Sequence, residues 1–176
     1  MELSGEHRFA APRERVWQLL LDPAILQQCL PGTEAFTEVG PEEYEARMKI
    51  GVAAIRGSYQ GKVKIEDKDE PQSYRMRVEG KGPAGQISGE ARIELREDGS
   101  GTLVNWSGVA NVRGTLARVG GRVMQPAAKM IVGNSYLQLG QYDAAISEYR
   151  EVLRVDANHA EARTKLSQAE KRKQGG

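Results

Sequence analysis

The chain is poor in the residues from which active sites and covalent staples are usually built. Its 176 residues include one cysteine, Cys29, and two histidines, His7 and His159. A single cysteine excludes an internal disulfide and agrees with a reducing compartment. Two histidines far apart, with no second cysteine beside either, give a zinc site or a Cys–His nucleophile little material. Cys29 itself is expected to be a buried small hydrophobe. An excess of one charge sign is also missing: 25 Lys and Arg stand against 24 Asp and Glu. That balance excludes a global field for nucleic acid or an anionic membrane. No apolar run approaches the roughly 20 residues needed to cross a bilayer, and the first residues do not form a signal-peptide core. The expectation is a soluble, cytoplasmic protein with no cofactor and no metal. Asn105-Trp106-Ser107 matches a glycosylation acceptor only by chance in such a setting. This length suits one sizeable core with a small annex, not two large domains.

What the chain does have is pattern. Glu2 to Phe9 fits a strand, Pro12 sits at a helix start, and Val16, Trp17, Leu19, Leu20 and Leu21 form that helix's apolar face. A second short helix carrying Ile25, Leu26 and Cys29 stops at Pro31-Gly32. From Thr33 to about Arg113 the period becomes two. Tyr44, Ala46, Met48, Ile50 and Val52 alternate with charged residues, and the same pattern recurs around Tyr59–Ile65, Tyr74–Val78, Ile87–Leu95 and Val104–Val112. Turn signals fall at Gly40-Pro41, Asp67 to Pro71, Gly80 to Gly85 and Asp98 to Gly101. The reading is an antiparallel sheet with one apolar and one charged face. Leu116, Val119, Gly120, Val123, Ala127, Met130 and Ile131 then recur at helical spacing, and Gly120-Gly121 would permit close approach to the strands. Pro126 inside this helix predicts a kink. Two further helices are predicted over about 142–155 and 159–173, with a turn at 156–158.

Gly80-Lys81-Gly82-Pro83-Ala84-Gly85 matches a dinucleotide fingerprint in letters alone. Its setting is strand–turn–strand, with no helix N-terminus to hold a pyrophosphate. The carboxylates fall on charged strand faces and in turns, where they need no function. With no acid or histidine assigned to the inward positions, an enzyme is not expected.

Taken together, Leu3-Ser-Gly-Glu6, Ala11-Pro12-x-Glu14-Arg15-Val16-Trp17, Leu21-Asp22-Pro23, Cys29-Leu-Pro31-Gly32, Tyr44-Glu45-Ala46, Gly57-Ser-Tyr59-x-Gly61-Lys62-Val63, Pro71-x-Ser73-Tyr74 and Gly80-Lys-Gly82 resemble the carbon monoxide dehydrogenase CoxG family. The resemblance covers residues 1 to about 135. It implies an α+β helix-grip fold of the START-like kind, in which an antiparallel sheet grips a long C-terminal helix. It also implies a lipophilic small molecule held between the two. Met48, Ile50, Tyr59, Val63, Tyr74, Met76, Ile87, Ile93 and Trp106 are the candidate cavity lining. Family members are associated with assembly or membrane recruitment of a molybdenum-containing dehydrogenase, without being its catalytic subunit. From Gly133 onward the chain resembles a tetratricopeptide repeat. Gly133 and Ala145 are the small residues at the helix crossing, and Tyr136, Tyr142 and Tyr149 are the seam aromatics. Gly133, Tyr136, Ala145 and Tyr149 are the expected junction packing.

The implied domains overlap: a helix-grip domain over 1–139 and a tetratricopeptide-like hairpin with a capping helix over 129–176, sharing a helix at about 115–139. Such repeats gain stability by stacking, so one repeat must lean on something else. The expected function is a non-enzymatic binding or scaffold protein, read as an engineered fusion. The alternative is a natural accessory protein whose helical annex recruits a protein partner.

Overall fold

The computed structural model describes residues 1–51 and 55–176, with their side chains except those at 120, 121 and 123. Val52 and the side-chain positions of Gly120, Gly121 and Val123, on which the alternation and the helical stripe drew, lie outside the described residues. The elements are β1 (Glu2–Phe9), α1 (Arg13–Leu21), α2 (Pro23–Cys29), β2 (Thr33–Gly40), β3 (Glu43–Ile50), β4 (Gly57–Asp69), β5 (Ser73–Gly82), β6 (Gly85–Asp98), β7 (Gly101–Gly114), α3 (Thr115–Gln138), α4 (Tyr142–Val155) and α5 (Ala160–Gln174). The chain divides into two units. One comprises Met1–Gln27 with Gly32–Gly120, and the other Gln28–Pro31 with Gly121–Gly176.

The first unit is built on a seven-stranded antiparallel sheet in the order β1-β7-β6-β5-β4-β3-β2. Meander connections join β2 through β7, and only β1 pairs out of sequence, closing on β7. The period-two pattern becomes alternating burial along the strands, because successive side chains point to opposite faces. Val16, Trp17 and Leu19 of α1 are buried, and the Trp17 ring meets Tyr74 edge-on at 5.5 Å between centroids. The buried Thr102 hydroxyl donates to the Ala11 carbonyl at 2.7 Å, fixing the chain as it enters α1. The opposite face carries ion pairs such as Lys64–Glu43 at 3.0 Å and Arg77–Glu66 at 3.3 Å. Exposed pairs of this kind contribute about 0–1 kcal/mol each and serve mainly to keep that face wetted.

Two turns are shorter than their composition suggests. The expected Gly80–Gly85 turn shrinks to Pro83-Ala84, because Gly80, Lys81 and Gly82 pair with Ile87, Gln86 and Gly85. Glycine lacks a side chain to pack but still offers its backbone to a ladder. Likewise β4 runs on to Asp69, with a register shift between Glu66 and Asp69 where Asp67 takes φ 49°.

In the second unit, Met130, Leu137, Ala145, Ile146, Tyr149, Val152, Ala162 and Ala169 form one buried cluster. The helix α3 continues through Pro126. It ends at Gly140, whose φ of +72° suits a residue without Cβ at a helix C-terminus. The bounds of α4 agree with those the spacing predicts. His159, expected inside α5, caps it instead, its Nδ1 accepting from the Ala162 N–H at 3.2 Å.

Candidate functional site

Ladder register gathers the nine candidate lining residues on the apolar face of the sheet. Met48 stands opposite Tyr59, Ile65 opposite Met76, Tyr74 opposite Ile93, and Ile93 opposite Trp106. Val63 faces Val78, and Ile87 faces Gly80. Tyr59, Tyr74 and Ile93 are buried, whereas Met48, Ile50, Val63, Met76, Ile87 and Trp106 are half-buried. Glycines make recesses for the rings. A Cβ at Gly82 would stand 2.2 Å from the Tyr59 ring, and one at Gly5 would stand 2.5 Å from the Trp106 indole nitrogen. Composition alone suggests only curvature or bulges for such glycines. The Tyr59 hydroxyl donates to the Ile55 carbonyl at 2.9 Å. Burial pushes the Tyr74 phenol well above its ordinary range, so it stays neutral. The inward set does contain a histidine, contrary to the expectation that none would be found there. β1 places His7 opposite Val104, on the face that Gly5 and Trp106 share. The imperfect alternation of that strand conceals the assignment in the sequence.

The polar face carries two hollows. The larger, of 880 Å³, spans β2 to β7 and is bordered by Arg47, Gln60, Lys81, Gln86 and Arg113, among others. The smaller, of 490 Å³, lies around Ser4, Glu6, Arg92 and Glu94. Of the nine candidate residues, Ile87 alone borders the first and Trp106 alone the second. Among the described residues no group of acids, histidine and cysteine has metal-binding geometry, and no helix is long and apolar enough to cross a membrane. The Gly80–Gly85 motif is the β5–β6 hairpin, so the backbone presents no helix N-terminus there.

In the helical unit the junction residues meet closely. A Cβ on Gly133 would lie 2.8 Å from the Tyr149 ring, and Ala145 is fully buried. Tyr136 packs at the margin of the same cluster. Sequence reasoning missed a buried polar chain beside it. The Tyr149 hydroxyl donates to Asn134 Oδ1 at 2.7 Å, and Asn134 Nδ2 donates to the Cys29 carbonyl at 2.9 Å. Gln138 Nε2 adds a bond to Gln28 Oε1 at 2.9 Å. The only signal for this was a polar residue inside an apolar helical stripe. Burial raises the Cys29 thiol, with the Ser135 hydrogen bond and Lys165 partly offsetting it. Maleimide labelling of Cys29 in the folded chain should therefore run on the order of a thousandfold slower than in denaturant. Equal rates would refute its enclosure.

The family model for carbon monoxide dehydrogenase CoxG matches residues 5–141. The chain belongs to the CoxG family. A family model for the tetratricopeptide repeat matches residues 133–174, overlapping the first over 133–141. Among solved structures, a conserved protein from Geobacillus kaustophilus is 28% identical with a TM-score of 0.72, covering 84% of this chain and 97% of that one. Protein Ms6760 from Mycobacterium smegmatis is 20% identical with a TM-score of 0.62, covering 78% and 90%. A protein from Rhizobium leguminosarum is 15% identical with a TM-score of 0.60, covering 80% and 95%. The last two show the fold alone. No curated protein is a significant match.

The CoxG domain is therefore an α+β domain of the helix-grip fold, followed by tetratricopeptide-like helices. In this CoxG family member the polar chain through Asn134 and the cationic positions of the large hollow were not singled out from sequence. Arg47, Lys81 and Arg113 each sit on an ordinary polar strand position. Only register shows that they line up.

Proposed function

We propose that this protein is a non-catalytic binding protein whose CoxG domain takes a lipophilic small molecule on the apolar face of its sheet. The observation that carries the reading is the half-buried row of Met48, Ile50, Met76 and Ile87 beside recessed tyrosine and tryptophan rings. Mostly apolar walls with a few fixed hydroxyls are what such ligands select. In this reading α3 serves both the helix-grip domain of 1–139 and the hairpin of 129–176. The helices after it are a protein-docking annex, in keeping with the tetratricopeptide match.

The test is uptake of cis-parinaric acid by the full chain. Wild type should bind it, Met76→Leu should retain binding, and Met76→Glu should lose about tenfold or more, since an unpaired carboxylate resists burial. Equal uptake by all three would sink the reading.

Family membership favours a second role, as an accessory to a molybdenum-containing dehydrogenase. Tagged full-length chain should then co-purify with that enzyme, and Arg150→Glu with Arg154→Glu on the exposed face of α4 should weaken the capture. Capture of the charge-reversed chain at wild-type yield would count against the annex. We also read the join as engineered, because the two family patterns overlap over 133–141 with no residues between them. Recovery of the same join in natural genomes would remove that reading.

A further inference from the structure

The larger hollow on the polar face has a charge order that ligand binding on the opposite face does not use. Register sets Arg47, Gln60, Lys81, Gln86 and Arg113 opposite one another in turn on β3, β4, β5, β6 and β7. At about 4.8 Å between neighbouring strands, three cations recur about 10 Å apart along a row of about 19 Å. All five residues border the 880 Å³ hollow. Arg47, Lys81 and Arg113 are exposed. Arg47 meets Glu34 at 3.4 Å, with both side chains largely in solvent. A pair of that kind contributes little and exchanges readily for a better partner. Among the described residues, Lys81 and Arg113 form no ion pair. The neighbouring row alternates in sign, as Glu45, Lys62 and Glu79, with Lys62 to Glu45 at 3.5 Å.

We propose that this face docks an acidic peptide segment of a partner protein, laid across the strands with its carboxylates toward Arg47, Lys81 and Arg113. The two glutamines between the cations can donate to and accept from the peptide backbone. Gly61 and Gly80 on the floor of the hollow leave room for that backbone to approach. Charge complementarity selects a peptide over a nucleic acid. Glu45 and Glu79 stand about 7 Å away along the strands, so a continuous phosphate backbone would lie against them. A peptide can place a neutral or basic residue there instead. The chain's net charge of +1 supplies no long-range attraction for a polyanion either.

The experiment uses the full chain and a fluorescein-labelled alternating Glu-Gly peptide, read by anisotropy, with oligo(dT) and phosphatidylserine vesicles as competing probes. Wild type should bind the peptide in a salt-sensitive way and prefer it to both competitors. Lys81→Glu with Arg113→Glu, two exposed changes checked for an unaltered melting curve, should weaken binding by about a hundredfold and confer binding of a Lys-Gly peptide. No binding of the acidic peptide, equal binding by the reversed variant, or preference for oligo(dT) or vesicles would each overturn the proposal.

Discussion

Replacing Tyr149 with alanine should abolish the cooperative unfolding of the helical unit while the sheet still melts. Tyr149 is completely buried, and its ring fills the notch that Gly133 leaves in α3. Truncating a buried aromatic costs about 3–5 kcal/mol. The change also strips Asn134 Oδ1 of its 2.7 Å donor in a buried site, adding about 1–3 kcal/mol. Whole domains are stable by only about 5–15 kcal/mol, and a single repeat with one capping helix has less to lose. Tyr149→Phe separates the two contributions, since it keeps the ring and removes only the hydroxyl. Hydrogen exchange of α4 and α5 in the full chain should show near-complete loss of protection for alanine and partial loss for phenylalanine. Native-like protection in the alanine variant would contradict the packing described.

Gly85→Ala should produce the largest loss from a single methyl group in the sheet. Gly85 opens β6 with φ +137°, a conformation that L side chains rarely adopt. A Cβ there would stand 1.9 Å from the Arg113 carbonyl oxygen on β7, a backbone atom that cannot move without breaking the ladder. Backbone strain of about 1–3 kcal/mol and overpacking of similar size together give about 3–5 kcal/mol. At about 2–4 °C per kcal/mol for a chain of this length, the sheet midpoint should fall by roughly 10 °C or more. Gly51→Ala is the control: no atom lies within 4 Å of its added Cβ, so its midpoint should barely change. Similar shifts for the two variants would show that the Gly85–Arg113 contact is not as drawn.

These two positions also show how far the residues alone could be read. Strand existence was legible because a half-buried sheet imposes a period of two, and Tyr59 to Ile65 or Ile87 to Leu95 display it without a break. The helices α4 and α5 were legible from spacing and turn residues. Strand ends were less so, since Gly80 and Gly82 read as turn material while the ladder keeps them as strand. Registers across strands were not legible, because they depend on pairing between segments distant in sequence. For that reason His7 was not placed on the apolar face, and Arg47, Lys81 and Arg113 were not seen as a row. Asn134 looked like a tolerated polar residue in a helix. Its role emerges only when Cys29 and Tyr149 arrive on either side.

A lipophilic molecule on the apolar sheet face of a non-catalytic protein is most directly tested by native mass spectrometry of the full chain. Spectra should be taken before and after solvent extraction. The expected result is a bound mass of lipid-like composition that extraction removes and that Met76→Glu fails to carry. A bare polypeptide mass under gentle desolvation, in wild type and variant alike, would contradict it.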